Sequence, residues 1–257
     1  MTDNKNRYCL FFDWDGTLRV GRDVSPENIA ALNAVQEKGH FVVLNTGRGP
    51  KNIPDYAMNL VKWDGLVAGM SYAEFAGEVV MEDYLPKSAL KHLCRFLEKT
   101  DTPTCVQGNG NVYMLRTEND DRSISMEDFE KLVDEDYDAL KVTNIALNGD
   151  IRTMPLNEFS GCWSIYHEEG CYSEIMLNGH DKSTGIKKIT EKLGIPREHT
   201  VSFGDSINDL DMLKYTGISV VMKSAVPALD GVATYRTADD RTGVAEAINK
   251  IFFEGTL

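Results

Sequence analysis

Two aspartates, Asp13 and Asp15, stand one residue apart near the start of the chain, between the apolar run Leu10–Phe12 and the pair Gly16-Thr17. Burying a carboxylate is costly unless the charge is paired or binds a metal ion. Side chains at positions i and i+2 of a strand point the same way, and a glycine turn lets the second acid face the first. One acid could then attack a substrate while the other moves a proton. An ordinary Asp-Gly turn explains the same residues about equally well when they are taken alone.

Three more polar segments accompany predicted core elements further along the chain. Thr46–Arg48 comes just after the apolar run Phe41–Leu44. Lys182 stands at the entry to a predicted helix, where the helix dipole disfavours a cation. Gly204–Asp209 comes just after the apolar run Thr200–Phe203. Each segment alone is typical of a turn or a helix cap, but their order along the chain favours a shared site.

Apolar runs and amphipathic segments alternate in the first and last thirds of the chain. The predicted strands are Tyr8–Phe12, Phe41–Leu44, Gly65–Ala68, Thr200–Phe203 and Ile218–Val221; the predicted helices run from Ser25 to Gly39 and over Lys51–Val61, Ser183–Leu193, Ile207–Tyr215 and Gly243–Ile251. This order predicts an α/β fold with a Rossmann-like, doubly wound parallel sheet. Ligands of such sheets bind outside the carboxyl ends of the strands, so the four polar segments are expected to converge there.

The alternation stops between about Tyr84 and Leu177. The predicted elements there are a helix over Ser88–Glu98, strands within Cys105–Leu115, an acidic helix over Met126–Asp136, and strands over Val142–Leu147 and Glu174–Leu177. Strands and helices without strict alternation indicate an α+β insert. We therefore expect a discontinuous core of residues 1–83 and 178–257, with an inserted cap domain of residues 84–177.

The residue types at the four segments suit phosphoryl transfer, which needs a nucleophile, a proton donor for the leaving oxygen, and cations for the phosphate charge. Asp13 can attack, and Asp15 can act first as an acid and then as a base. Asp205 and Asp13 together offer the oxygen ligands that Mg²⁺ prefers. Thr46 offers a hydroxyl and Lys182 an ammonium group to phosphate oxygens.

The four segments resemble the four motifs of the haloacid dehalogenase (HAD) superfamily. The long insert between the second and third motifs resembles that of the Cof-like, sugar-phosphatase-like branch, and the tail segments Val220–Pro227 and Ala238–Ile248 are similar to that branch as well. The resemblance covers about Tyr8–Glu82 and Asn178–Ile251 and is weak inside the insert. It implies a Rossmann-like hydrolase core with a mobile α/β cap.

The resemblance also implies a role for each site residue. Asp13 would form an aspartyl-phosphate, and Asp15 would be the general acid and base. Mg²⁺ would be bound by the carboxylates of Asp13 and Asp205 and by the backbone carbonyl of Asp15. The phosphate would be held by Thr46, Lys182 and Asn208, and Asp209 would support Lys182 or the metal shell. Independently of the resemblance, backbone N–H groups near Asp15 and Gly47 can complete an anion-binding nest.

The leading hypothesis is a Mg²⁺-dependent phosphatase that acts on a small phosphorylated metabolite. A phosphomutase could use the same pair of aspartates, and a phosphate-sensing or scaffold protein could stand on an inactive hydrolase fold. A dehalogenase is disfavoured, because its chemistry does not want a proton donor at Asp15, and a pump ATPase is excluded by the lack of membrane helices. Sugar phosphates, pyridoxal phosphate, flavin mononucleotide and polyol phosphates all remain open as substrates.

Composition limits the partners and the compartment. The 257 residues carry a formal net charge of −13, which argues against nucleic acid or an anionic membrane surface as a partner. No apolar stretch approaches the ~18 residues of a membrane helix, and the polar N-terminus does not resemble a signal peptide. Five cysteines without CxxC spacing are typical of reduced thiols. We expect a cytoplasmic monomer or small homo-oligomer.

The cap is expected to select the substrate, because its closure would exclude water and add contacts to the leaving group. Candidate contact residues in the cap are Tyr113, Arg116, Trp163, Tyr166 and His167.

Overall fold

The computed structural model describes residues 6–149 and 159–256. Thirteen strands lie in these two ranges, and they are numbered in chain order. They are β1 (Cys9–Phe12), β2 (Phe41–Thr46), β3 (Gly65–Ala68), β4 (Tyr72–Phe75), β5 (Glu78–Glu82), β6 (Thr104–Gly108), β7 (Val112–Leu115), β8 (Val142–Asn148), β9 (Cys162–His167), β10 (Tyr172–Leu177), β11 (Thr200–Gly204), β12 (Ile218–Val221) and β13 (Tyr235–Arg236).

Eight α-helices accompany the strands in the same described ranges. They are α1 (Pro26–Glu37), α2 (Asp55–Met58), α3 (Lys87–Leu97), α4 (Met126–Glu135), α5 (Tyr137–Leu140), α6 (Lys182–Leu193), α7 (Leu210–Tyr215) and α8 (Gly243–Asn249). Ser25 caps α1 by accepting a hydrogen bond from the N–H of Asn28, and Pro26 occupies the first helical position, as the sequence predicts.

The first sheet has eight strands in the spatial order β13-β12-β11-β1-β2-β3-β4-β5. The strands from β13 to β3 are parallel, and β4 and β5 return as an antiparallel edge. The parallel strands β1, β2 and β3 are buried on both faces, as expected for a sheet covered by helices on two sides. The prediction of an α/β fold with a doubly wound parallel sheet is confirmed.

Alternate residues of β1 point into two different cores. Leu10 and Phe12 pack with apolar side chains of α1 and α8 on one face. Cys9 and Phe11 pack with side chains of α6 and α7 on the other. The central strand is therefore fixed from both sides, and the residue that follows it, Asp13, is held at a rigid sheet edge.

The second sheet contains five strands in the order β7-β6-β8-β10-β9, and all neighbouring pairs are antiparallel. One face packs on α3 and α4 around a separate apolar core that includes Leu93, Phe129, Val133 and Ile145. The α+β character of the insert agrees with the sequence. The domain boundaries at residues 83/84 and 177/178 stay a prediction.

Several predicted elements need correction. The continuous helix over Lys51–Val61 is wrong: a 3₁₀ turn over Pro50–Asn52 is followed by the short α2. Pro54 explains the break, because proline removes a helical N–H and disfavours helical geometry at the residue before it. The hairpin of β4 and β5 and the strand β9 were not predicted. The predicted helix over Ile207–Tyr215 begins with a 3₁₀ turn before α7, and the one over Gly243–Ile251 ends in a π-helical turn.

None of the helices in the described ranges combines the length and the apolar character that crossing a membrane requires.

Candidate active site

The carboxyl ends of three adjacent parallel strands meet at one point of the first sheet. Asp13 directly follows β1, Thr46 is the last residue of β2, and Asp205 directly follows β11. The backbone N–H of Asp13 donates to the carbonyl of Phe203 at 3.0 Å, so the β1–β11 ladder continues to the site itself. The structure thus brings the first, second and fourth sequence segments together.

Lys182, the third of the predicted polar segments, is the first residue of α6. The side chain is only 1% exposed, and its Nζ donates to Asp13 Oδ1 and to Asp209 Oδ1, both at 2.6 Å. Burial by itself would lower the pKa of Lys182, but the charges of Asp13 and Asp209 outweigh it and raise that pKa. A buried cation with two carboxylate partners is the arrangement that makes its burial tolerable.

Two neighbouring groups hold Lys182 in place. Asp181 is the N-cap of α6 and accepts hydrogen bonds from the N–H and the hydroxyl of Ser183, at 2.6 and 2.5 Å. The side chain of Asn45, in β2, donates to the carbonyl oxygen of Lys182 at 2.9 Å. The position of the ammonium group is therefore set by both the helix start and the central sheet.

Three carboxylates lie together in front of Lys182. Asp13, Asp205 and Asp209 each offer an oxygen atom within 4.8 Å of the others. Burial first, and then the charges of Asp209 and Asp205, raise the pKa of Asp13, while Lys182 opposes the shift. Burial and then the charge of Asp209 raise the pKa of Asp205 to about 7. The cluster carries more negative charge than Lys182 alone balances, which favours a bound cation.

The hydrogen bonds decide which of the three acids could coordinate a metal ion. One carboxylate oxygen of Asp209 accepts a hydrogen bond from Lys182. The other oxygen accepts hydrogen bonds from the backbone N–H groups of Asp205 and Ser206, at 2.9 and 3.0 Å. Asp205 receives a hydrogen bond on Oδ1 from Thr17 Oγ1, at 2.8 Å. The remaining oxygens of Asp13 and Asp205 are hard donors that fit a divalent cation such as Mg²⁺. Asp209 is a positioning group for Lys182 and the Asp205 loop.

Gly16 permits the close approach of Asp205 to the Asp13 loop. A Cβ atom at Gly16 would lie 2.3 Å from Asp205 Oδ2, and the residue has a φ of +92°. Both observations require glycine here, because a side chain would clash and would also strain the backbone.

Asp15 does not join the acid cluster. Arg48 donates to its carboxylate through Nε at 2.6 Å and Nη2 at 3.1 Å, and Arg19 donates through Nε at 3.1 Å and also through Nη2. Burial would raise the pKa of Asp15, but the hydrogen bonds and charges of Arg48 and Arg19 outweigh it and lower that pKa. Arg48 belongs to the predicted segment Thr46–Arg48, yet neither Arg48 nor Arg19 was predicted to be a partner of Asp15.

A cavity of about 240 Å³ opens above Asp13 and Asp15. Thr46, Gly47 and Asn208, all predicted to hold phosphate, line it. Lys182 lies behind Asp13 instead of facing the open space, so it reaches the cavity only through that carboxylate.

The second sheet closes the other side of the cavity. The residues of this sheet that line the cavity are Cys105, Gln107, Ala146, Tyr172 and Glu174. Four of the predicted cap contacts, Tyr113, Arg116, Trp163 and Tyr166, are not among the described residues that line this cavity. His167 acts indirectly, through a hydrogen bond of 2.9 Å from its Nε2 to Glu174 Oε2. A carboxylate in the apolar run Glu174–Leu177 was the sequence signal that could have identified Glu174.

Comparison with known proteins identifies the family. The model of the family described as haloacid dehalogenase-like hydrolase matches residues 10–248. The chain belongs to this family. The resemblance to the haloacid dehalogenase superfamily is thereby confirmed.

Similar proteins of the family are named as phosphatases. YcsE of Bacillus subtilis, named 5-amino-6-(5-phospho-D-ribitylamino)uracil phosphatase, is 27% identical and covers 93% of this chain and 93% of its own length. YitU of Bacillus subtilis carries the same enzyme name and is 22% identical, over 95% of this chain and 97% of its own length. A solved HAD subclass IIB sugar phosphatase is 25% identical, with a TM-score of 0.82 over 95% of this chain and 98% of its own. The prediction of an enzyme of the phosphatase class is confirmed.

Proposed function

We propose that this hydrolase removes phosphate from a small phosphomonoester through an aspartyl-phosphate on Asp13, with Mg²⁺ as the metal ion. The observation that carries the proposal is the position of Asp13. Its carboxylate is fixed by Lys182 at 2.6 Å, adjoins the Asp205 carboxylate, and opens into a cavity that Thr46 and Gly47 also line. A nucleophile, a cation and a phosphate-sized space therefore meet at the side chain of Asp13.

In the first half of the reaction, an oxygen of Asp13 forms a bond to phosphorus while the ester P–O bond breaks. Lys182 favours the ionised, nucleophilic form of Asp13. The leaving alkoxide takes a proton and departs as an alcohol. Thr46 Oγ1, the backbone N–H of Gly47 and the Asn208 amide would hold the remaining phosphate oxygens, a role supported by the position of all three residues in the cavity lining.

In the second half, water attacks phosphorus and releases inorganic phosphate from Asp13. Asp15 suits the general base of this step, because Arg48 and Arg19 lower its pKa and keep it ionised. To donate a proton in the first half it must be protonated before the ester bond breaks. A dianionic phosphate beside it favours that protonation, since a nearby like charge raises the pKa of an acid.

A bound Mg²⁺ would neutralise charge on the transferring phosphoryl group. Asp13 and Asp205 would hold it through carboxylate oxygens and Asp15 through its backbone carbonyl. Its charge would also oppose the burial and the mutual repulsion that raise the pKa values of Asp13 and Asp205.

The size and lining of the cavity support a small, polar substrate such as a sugar or polyol phosphate. Its walls carry hydroxyl, amide and carboxylate groups, and its volume is about 240 Å³. The names of the relatives agree, since one is a sugar phosphatase and two act on a phosphoribitylamino compound.

Replacing the nucleophile tests the proposal directly. We expect Asp13→Asn to lower kcat for p-nitrophenyl phosphate in the presence of Mg²⁺ by about 10⁴-fold or more, the scale observed when covalent nucleophiles are removed. The measurement is release of inorganic phosphate without any bisphosphate activator, which separates hydrolysis from mutase activity.

The matched control is Asp55→Asn, an exposed aspartate at the first position of α2. It makes the same chemical change away from the cavity and is expected to keep kcat within twofold. Unchanged hydrolysis by Asp13→Asn, with a normal melting temperature for both variants, would contradict the aspartyl-phosphate mechanism.

A further inference from the structure

Three strands of the second sheet present a row of side chains to the cavity. The strand register pairs Cys105 with Ala146 and Ala146 with Glu174, so these residues stand side by side across β6, β8 and β10. Gln107 and Tyr172 lie two positions along their own strands from Cys105 and Glu174, and therefore share their face. All five line the cavity. Glu174 is the charged member of this row.

Glu174 is held rigidly with one oxygen available. The residue is 5% exposed; Oε2 accepts hydrogen bonds from His167 Nε2 at 2.9 Å and from Asn208 Nδ2 at 3.3 Å. Oε1 lies 3.4 Å from where a Cβ atom of Gly47 would be. Among the described residues, no donor is hydrogen-bonded to Oε1. This oxygen therefore stands directly beside the predicted phosphate loop.

A complementary donor lies on the same face of the sheet. Gln107 Oε1 accepts from the backbone N–H of Gly49 and from Asn52 Nδ2, both at 2.9 Å, which fixes the orientation of the amide. Its Nε2 has no hydrogen bond to the described residues. A hydroxyl group can donate to Glu174 Oε1 and accept from such an amide, whereas a carboxylate can only accept.

The charge balance of the cavity reinforces this preference. Asp13, Asp15 and Glu174 bring negative charge, and Arg48 is the one cationic side chain among the described residues that line the space. Arg48 is already hydrogen-bonded twice to Asp15. A second anionic group on the substrate, close to its phosphate, would therefore meet a fixed carboxylate without a free cation.

We propose that Glu174 is a specificity-determining residue: it accepts a hydrogen bond from a neutral hydroxyl of the leaving group and rejects leaving groups that carry a second negative charge. The inference rests on the proposed phosphatase function and names its substrate class, the phosphates of uncharged polyols and sugars. His167 and Asn208 are positioning residues for Glu174.

Matched substrates that differ in one group test this selectivity. Glycerol 3-phosphate and 3-phosphoglycerate form a short pair, and sorbitol 6-phosphate and 6-phosphogluconate form a long pair; each pair exchanges a hydroxymethyl group for a carboxylate. We expect the wild-type enzyme to favour the neutral member of at least one pair by about 10- to 100-fold in kcat/KM, the scale of like-charge repulsion in a partly buried site. Equal rates within both pairs would overturn the inference without involving any variant.

The near-isosteric variant Glu174→Gln removes the charge and keeps the shape. We expect it to reduce the neutral-over-acidic ratio of kcat/KM at least about tenfold, because the repulsion disappears. Glu135→Gln, an exposed position at the end of α4, is the matched control and should keep the wild-type ratio. A ratio that Glu174→Gln leaves unchanged would refute the role of Glu174.

The two levels of the proposal fail in different ways. If the wild-type enzyme with Mg²⁺ hydrolyses no phosphomonoester, including p-nitrophenyl phosphate, the phosphatase function itself is wrong. If it hydrolyses p-nitrophenyl phosphate and both members of each pair equally well, only the selectivity of Glu174 is wrong.

Discussion

At the scale of single residues, the site concentrates charge that costs stability. Lys182 and Asp209 are almost completely buried, and Asp13 is 5% exposed. Removing one partner of a buried ion pair typically destabilises a protein by about 3–5 kcal/mol, because the other charge remains without compensation. The fold tolerates this arrangement because Lys182 pairs with both Asp13 and Asp209, so each of these three charges has a partner of opposite sign. The partly buried Asp205 differs from them, since it has Thr17 as a hydrogen-bond donor and two acids nearby.

Asp205 gives a testable pH dependence of stability. Its pKa in the folded, metal-free protein is about 7, above the ordinary value of about 3.9. Between these values the folded state retains a proton that the unfolded state has lost, so the free energy of unfolding falls as pH rises from about 4 to about 7. We expect Asp205→Asn to flatten this decline. Thermal melting between pH 5 and pH 8 in EDTA measures it.

The same melting measurements in saturating Mg²⁺ provide the comparison with those in EDTA. A cation bound between Asp13 and Asp205 offsets the repulsion, so the melting temperature of the wild type should decline less with pH than in EDTA. Parallel melting profiles of the wild type and Asp205→Asn in EDTA would show that another group titrates.

At the scale of elements, the start of α6 determines where the buried cation stands. Asp181 forms a capping box with Thr184 and also accepts a hydrogen bond from Ser183. These bonds fix the first turn of α6, from which the Lys182 side chain extends toward Asp13 and Asp209. A capping aspartate normally contributes about 1 kcal/mol to helix stability. Here the same hydrogen bonds also position a charged group at the site.

The contributions of the N-cap residue Asp181 to helix stability and to the positioning of Lys182 can be separated with a matched pair of variants. Asp181→Ala and Ser125→Ala each remove an N-cap, of α6 and α4 respectively, and each is expected to lower stability by about 1 kcal/mol. Asp181→Ala should also lower kcat/KM by about tenfold or more, because displaced catalytic groups lose rate steeply. Ser125→Ala should leave kcat/KM unchanged. Equal kcat/KM in both variants would argue against a positioning role for this cap.

At the scale of the whole molecule, the two sheets meet at the loop that follows β2. Asn144 Nδ2 donates to the carbonyl of Gly47 at 3.0 Å, and Gln107 Oε1 accepts from the N–H of Gly49 at 2.9 Å. The second sheet therefore touches the same loop that is predicted to bind phosphate. Substrate binding and the arrangement of the two sheets are expected to depend on each other for this reason.

Gly49 offers a way to separate the sheets without disturbing either core. A Cβ atom there would lie 2.7 Å from Gln107 Cβ and 3.1 Å from Thr143 Oγ1. We expect Gly49→Val to force the contact apart and to lower kcat/KM for all phosphomonoesters by about 10²-fold, the effect of misplacing groups by about 1 Å. Steady-state kinetics and melting temperature measure the outcome.

The control for Gly49→Val is Ala139→Val, which introduces the same valine side chain at an exposed position of α5, away from the contact. It should retain wild-type kcat/KM. Retention of activity by Gly49→Val within twofold would show that the enzyme works without the close contact of its two sheets.

Much of the architecture was determined locally and could be predicted from the sequence. Apolar runs such as Phe41–Leu44 and Gly65–Ala68 are buried parallel strands because continuous apolar residues suit a sheet covered on both faces. The polar segments that follow them lie at one edge because parallel strands share a direction. The error at Lys51–Val61 arose where Pro54 competes with helical periodicity, and the hairpin of β4 and β5 lacks a strong apolar alternation.

The sequence by itself determined the parallel core, the order of its polar segments and the resemblance to the family, because these depend on residue type and short spacing. Only the tertiary structure decided that Asp15 binds Arg48, that Lys182 lies behind Asp13, and that Glu174 enters the cavity. Arg48 and Asp15 are 33 positions apart, and Asn208 and Glu174 are 34 positions apart. Hydrogen bonds between such distant residues follow from how strands and loops pack, which no local pattern specifies.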